Sequence, residues 1–186
     1  MKQRLYKESI ILIGPSGAGK SSVAEELCKM TNMPRLCLDR IANKANATGL
    51  KKNFKSEDEF NCFMISEVLK SVKEHDEYGI VDFGDGHSVY DDILIFEDVK
   101  EMLHPFQNIV LLLPSQDEQK ALEIMKKRST GDTRNNQKFF ESPCNKELAT
   151  MTIYENGRTP SEVAEEIISR IKERKEAKTT SSGKRL

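Results

Sequence analysis

Three observations predict an α/β protein, a three-layer α/β/α domain on a five-stranded parallel sheet. Short apolar runs alternate with longer segments of helical period. A glycine-rich turn, GPSGAGKS, directly follows the first apolar run, Ile10-Ile11-Leu12-Ile13. Ser/Thr-x-x-Glu helix starts recur downstream.

The strands are expected at residues 9–13, 35–38, 79–83, 108–113 and 149–153. Helices are announced by Ser56 with Glu59, Ser115 with Glu118, and Thr159 with Glu162, where Pro160 takes the favoured first helical position. Phe60, Met64, Val68 and Val72 recur every four or so residues, as do Val163, Ile167 and Ile171, so each segment turns one apolar stripe inward. The polar stretch at residues 129–140, STGDTRNNQKFF, reads as a mobile lid between helices. Residues 175–186, KEAKTTSSGKRL, lack apolar period and read as a disordered tail, leaving a single domain over residues 1–174.

Composition narrows the function classes. Lys+Arg number 29 and Asp+Glu 30, a formal charge of -1, so no global positive field attracts nucleic acid, and 6% aromatic content supplies few stacking platforms. No apolar run is long enough to span a membrane and no signal-type leader is visible, so a cytoplasmic monomer acting on a small molecule is expected. Cys28, Cys37, Cys62 and Cys144 form no CxxC pair and are expected as reduced thiols.

The turn matches G-x-x-x-x-G-K-S in full, between an apolar strand and a helix carrying Val23, Leu27 and Met30, which defines a P-loop NTPase domain. Gly14, Pro15, Ser16, Gly17, Ala18, Gly19, Lys20, Ser21 and Ser22 form the expected cradle. Backbone N–H groups and the helix N-terminus face phosphate oxygens, Lys20 reaches the β- and γ-phosphates, and Ser21 ligates Mg²⁺. ATP is favoured over GTP because no N-K-x-D segment is present.

Asp82 ends the third expected strand, where ligands bind in this architecture, and is the second candidate for supporting Mg²⁺. The letters Asp82-Phe83-Gly84 match the metal motif of protein kinases, but the rest of that signature is missing. Asp39, after the second strand, is placed to orient an acceptor hydroxyl and take its proton. Arg128, Arg134 and Lys138 are placed to fold over the triphosphate, where a guanidinium stabilises the charge of the transition state.

Taken together, GPSGAGKS, Asp39, Gly84-Asp85-Gly86, RSTGDTR and ELATMTIYENGRTPSEVAEEI resemble the shikimate kinase family within the nucleoside-monophosphate-kinase-like P-loop proteins. The resemblance implies that Arg158 and Pro160 lie beside the adenine with Arg128 stacked over it. It also implies that Asp39, Gly84, Asp85 and Gly86 contact the acceptor. Two departures bear on that acceptor. The family's F-R-x-x-E arginine corresponds to Met64 in an ungapped placement, and the arginine before its x-P-L-Y segment corresponds to Glu141. Losing two cations and gaining a carboxylate disfavours an anionic acceptor such as shikimate and suits a neutral, polyhydroxylated or amine-bearing one. The expected activity is transfer of the γ-phosphoryl group of ATP·Mg to a small-molecule hydroxyl. The alternatives are an NTPase, or an ATP-sensing module that acts through a protein partner.

Overall fold

The computed structural model describes residues 5–74, 79–84, 87–128 and 134–182. After a 3₁₀ turn at Leu5–Glu8 come β1 (Ile10–Ile13), α1 (Lys20–Thr31), β2 (Arg35–Cys37) and α2 (Leu38–Ala47). A second 3₁₀ turn, Leu50–Asn53, leads to α3 (Glu57–Glu74), β3 (Ile80–Asp82), α4 (Ile93–Leu103) and β4 (Asn108–Leu113). Then follow α5 (Glu118–Arg128), α6 (Arg134–Glu141), α7 (Pro143–Leu148), β5 (Met151–Tyr154) and α8 (Pro160–Ser182).

The five strands form one parallel sheet in the order β2-β3-β1-β4-β5. Strand alternation divides the core into two layers, because successive side chains point to opposite faces. Ile11, Ile13, Val81, Phe83, Ile109 and Leu111 pack with the Phe60–Met64–Val68–Val72 stripe of α3 and with α4. Ile10, Leu12, Ile80, Val110 and Leu112 pack on the other face with Val23 and Leu27 of α1 and Val163, Ile167 and Ile171 of α8. Each fully buried aliphatic side chain contributes about 1.5–3 kcal/mol. An exposed ion pair contributes about 0–1 kcal/mol, so these layers, not the surface charges, fix the architecture.

Local chemistry sets the helix starts. Thr159 and Glu162 form a reciprocal capping box: Thr159 N–H donates to the Glu162 carboxylate at 2.8 Å and Glu162 N–H donates to Thr159 Oγ1 at 3.3 Å. Ser56 accepts from Glu59 N–H at 3.1 Å, while the Glu59 carboxylate reaches back to Lys55 N–H at 2.8 Å. The Ser115–Glu118 expectation needs correction. Ser115 Oγ accepts from Asp117 N–H, and Asp117 in turn accepts from Lys120 N–H at 2.8 Å, so Asp117 is the residue that caps α5. Helix α4 is capped by Asp92, which accepts from Leu94 and Ile95 N–H, with no Glu three places on to advertise it.

Two expected irregular segments are more regular than their polarity suggests. Helix α8 continues through Ser182 instead of ending at Arg174, and Lys175 pairs with Glu8 at 2.5 Å. Residues 134–141 form helix α6 instead of open lid; residues 129–133 lie outside the described residues. Met30 is exposed, so the inward stripe of α1 rests on Val23, Ala24 and Leu27.

Candidate active site

β1 lies between β3 and β4, so chain connections leave it in opposite directions and open a crevice at the carboxyl edge. The glycine-rich loop occupies that crevice. Gly14 has φ 144°, and a Cβ there would meet the Leu112 carbonyl oxygen of β4 at 2.3 Å, so only glycine lets the loop leave β1 against β4. Gly19 caps α1 with φ 81°. Lys20, buried at the first position of α1, donates from Nζ to the carbonyls of Gly14 at 2.7 Å and Pro15 at 3.0 Å. Its ammonium is thereby drawn back over the loop whose N–H groups and helix terminus make an anion site.

One residue further on, Ser21 Oγ donates to Asp82 Oδ2 at 3.0 Å. Asp82 is buried at the end of β3, and the same oxygen accepts from Arg35 Nη2 at 2.6 Å. Arg35 also donates through Nη1 to Glu25 of α1 at 3.1 Å. Burial opposes the charge on Arg35, but the bond and charge attraction to Asp82, with smaller contributions from Cys37 and Glu25, together outweigh it and raise the guanidinium pKa. A serine hydroxyl beside a carboxylate oxygen at the mouth of a phosphate loop is a hard oxygen donor pair, so these residues fit Mg²⁺. Ser21 and Asp82 therefore come together as the sequence led one to expect. Arg35 is a partner of Asp82 that sequence reasoning missed, although a lone arginine in a three-residue strand was the available signal.

The expected adenine residues also converge. Gly17, Ala18, Gly19, Ser22, Arg128, Arg158 and Pro160 line one cleft of about 460 Å³. Arg128 pairs with Glu155, a bond that raises its pKa. Arg158 bonds Glu166 at 2.5 Å, donates from Nε to the Glu155 carbonyl at 3.1 Å and from Nη2 to the Tyr154 carbonyl. Guanidinium planes anchored in this way are prepared to stack on an aromatic base.

On the other side of the phosphate loop, Asp39 stands in the first turn of α2, its carboxylate about half exposed. A Cβ at Gly84 would fall 1.5 Å from Asp39 Oδ1, so this glycine makes room for the acid. His87 Nδ1 lies 3.6 Å from Asp39 Oδ1. The His87 carbonyl accepts at 3.0 Å from the Tyr90 hydroxyl, whose pKa burial pushes far up, leaving it a proton donor. Asp39 and His87 share a cleft of about 240 Å³ with Asn43, Asn46, Lys51, Glu57, Phe60 and Asn61.

Asp85 and Gly86 lie outside the described residues, and Arg134 is located only as the first residue of α6. Lys138 pairs with Asp91 at 2.6 Å, and together with Glu141 it lines a separate cleft near Tyr90 and Cys144. Glu141 is therefore not among the residues of the Asp39 cleft. Met64 is buried in the core layer under α3; the α3 side chain that reaches the cleft is Asn61, one turn earlier. Met64 is thus not among the residues of the cleft, and Asn61 supplies it with a carboxamide. A larger groove of about 800 Å³ lies between α3 and α4, lined by Phe54, Phe63, Ile95 and Met102 among others, and includes no phosphate-loop residue. Among the described residues, no helix is long and apolar enough to cross a membrane.

Comparison with known proteins agrees with this geometry. The shikimate kinase family model matches residues 16–172. A shikimate kinase of Enterococcus faecalis is 29% identical over 182 residues, covering 89% of this chain and 99% of the relative. A shikimate kinase of Rhodococcus jostii is 26% identical, covering 88% and 97%. Among solved structures, a shikimate kinase from Acinetobacter baumannii in complex with shikimate superposes with a TM-score of 0.68 at 21% identity, covering 90% of this chain and 94% of that one. A gluconokinase from Sinorhizobium meliloti gives 0.64 at 18% identity, covering 96% and 99%. At such identities the structural likenesses establish the fold alone. The family match spans most of the chain, and on it the protein belongs to the shikimate kinase family of P-loop small-molecule kinases.

Proposed function

We propose that the protein transfers the γ-phosphoryl group of ATP·Mg to a hydroxyl of a small molecule that carries no carboxylate. The observation that carries this reading is the position of the Asp39 cleft, which meets the phosphate-loop edge through Gly84 and Asp82 of one short segment.

Asp39 orients the acceptor hydroxyl and accepts its proton as the hydroxyl oxygen bonds to the γ-phosphorus. The bond from that phosphorus to the β–γ bridging oxygen breaks, and ADP leaves with the electron pair. Lys20 and the loop N–H groups stabilise the negative charge on the transferring group, and Arg134 adds a cation from α6. Ser21 and Asp82 would hold Mg²⁺, which when bound would supply positive charge against the phosphates. Arg128, Arg158 and Pro160 flank the adenine.

The acceptor class follows from the cations that the cleft can offer. Lys51 is bonded to Glu57 at 2.8 Å, so its charge is already matched. Asp39 adds a further negative charge, and Asn43, Asn46 and Asn61 add amides suited to hydroxyl groups. Burying a substrate carboxylate against that set costs more than burying a neutral polyol or an amine.

The test is ADP release from ATP·Mg, alone and with hydroxylated metabolites that include shikimate and gluconate, with Lys20→Ala as the blank. A neutral or amine-bearing compound should raise turnover well above the acceptor-free rate. Comparable stimulation by shikimate or gluconate overturns the acceptor class. No stimulation by any compound, with a basal rate equal to the blank, moves the protein to nucleotide-dependent signalling.

A further inference from the structure

Arginine is a costly choice for a half-buried strand only three residues long, because its charge must be matched where it is desolvated. The β2–β3 register pairs Arg35 with Ile80 and Cys37 with Asp82. Arg35 therefore shares a sheet face with Asp82 and lies two residues behind it, on the side that α1 covers. The guanidinium crosses that interval. One terminal nitrogen bonds Asp82 Oδ2 at 2.6 Å and the other bonds Glu25 at 3.1 Å, a fork that lysine cannot reproduce.

Ser21 donates to the same Asp82 oxygen, so two donors from two different elements converge on Oδ2. The Asp82 side chain is 4% exposed, and with Oδ2 held twice it has little freedom to turn. Glu25 is 63% exposed, so its bond costs little to make and serves to aim the guanidinium from solvent.

We propose that Arg35 is a positioning residue acting through Asp82. It fixes the Asp82 carboxylate beside Ser21, so that the pair is already oriented for the divalent cation that arrives with the nucleotide. The inference rests on the reading that Ser21 and Asp82 support Mg²⁺. Groups that orient the ligands of a metal are worth about 10–100-fold in metal affinity.

The experiment measures equilibrium binding of a fluorescent ATP analogue across a Mg²⁺ titration and in EDTA, with thermal melting as the folding control. The proteins are the intact chain and its Arg35→Met, Arg35→Lys, Glu25→Gln, Asp82→Asn and Arg35→Met/Asp82→Asn variants. Arg35→Met should raise the Mg²⁺ needed for half-maximal tightening by about 10–100-fold while affinity in EDTA changes less than about twofold. Arg35→Lys should fall between Arg35→Met and wild type. Glu25→Gln, a surface change that leaves the buried pair in place, should shift the requirement in the same direction by about two- to threefold. In the Asp82→Asn background the arginine substitution should add less than about twofold, because a residue acting through a partner loses its effect with that partner.

Equal loss of nucleotide affinity with and without Mg²⁺, or additive effects in the double variant, overturns the role of Arg35 while leaving the metal reading intact. Wild-type affinity that is indifferent to Mg²⁺ overturns the metal reading, and the inference with it. Should Arg35→Met fail to fold, an unchanged Mg²⁺ requirement in both Arg35→Lys and Glu25→Gln overturns the proposal.

Discussion

The two halves of the crevice are built by different rules. The proposed nucleotide half uses two short contiguous stretches, residues 14–22 and 154–160, together with Arg128, and both its arginines are anchored by nearby carboxylates. The proposed acceptor half draws Asp39 from α2, Lys51 from the 3₁₀ turn before α3, Glu57 and Asn61 from α3, and Gly84 and His87 from the segment after β3. A phosphate chain is the same object whatever the acceptor, and backbone N–H groups can recognise it, so that half is written locally. An acceptor is recognised by side chains converging from separated elements. Its half can be rebuilt by changing one residue in each while the phosphate loop stays as it is.

The sharpest way to break the nucleotide half is Lys20→Ala. Acceptor-dependent turnover should fall by roughly 10²–10³-fold, the cost of removing one charge-stabilising donor. Unchanged turnover in a folded Lys20→Ala protein removes the phosphate loop from the reaction. Next in size is a change confined to the acceptor half. Gly84→Ala should push Asp39 aside, since the new Cβ overlaps its carboxylate, and should lower kcat about 10²-fold because reacting groups tolerate little displacement. Nucleotide binding by the same variant should stay at the wild-type value; a parallel loss of both makes the two halves one unit.

Arg158→Ala should raise the KM for ATP by about tenfold with little change in kcat, as loss of a stacked, uniformly binding contact does. A fall in kcat instead places Arg158 in the chemistry. Lys51→Met should change the acceptor KM less than about threefold if the acceptor is neutral, since the pair it breaks is a partly exposed one. An increase of tenfold or more points to a carboxylate on the acceptor.

The smallest effect concerns pH. Burial alone would raise the Glu166 carboxyl, but its bonds to Arg158 and its pairing with Arg170 outweigh this and hold it below the usual range. The resulting stability is present above the ordinary glutamate pKa of about 4.3 and is lost as pH falls through the lowered value. The melting temperature of Glu166→Gln should therefore lie below wild type near neutrality by an amount worth less than about 1 kcal/mol, and the gap should close under acid. A gap independent of pH assigns Glu166 to packing.

The same contrast explains what could be read beforehand. The strand–loop–helix at GPSGAGKS, the parallel sheet and the stripes of α3 and α8 follow from local period and turn chemistry, and all three appear in the structure. Polarity alone misjudged residues 134–141 and 175–182, because a helix can be held by contacts at its edges, such as Lys138 with Asp91 and Lys175 with Glu8. Asn61 was hidden by periodicity: it lies one turn before Met64 on the same general face of α3, and the apolar stripe drew attention to Met64 instead. Arg35 was hidden by topology, since its partner Asp82 is 47 residues away and only strand order brings them together.

One feature of α8 bears on how the protein can be handled. Arg174 bonds Thr150, just ahead of β5, and Lys175 meets Glu8, just ahead of β1, so the helix returns to the amino edge of the sheet. The phosphate loop lies at the opposite edge. A label or surface tether attached at the exposed Lys172 of α8 therefore sits at the rear of the molecule. The protein can thus be immobilised through that stretch of α8 with the crevice still open to nucleotide and acceptor.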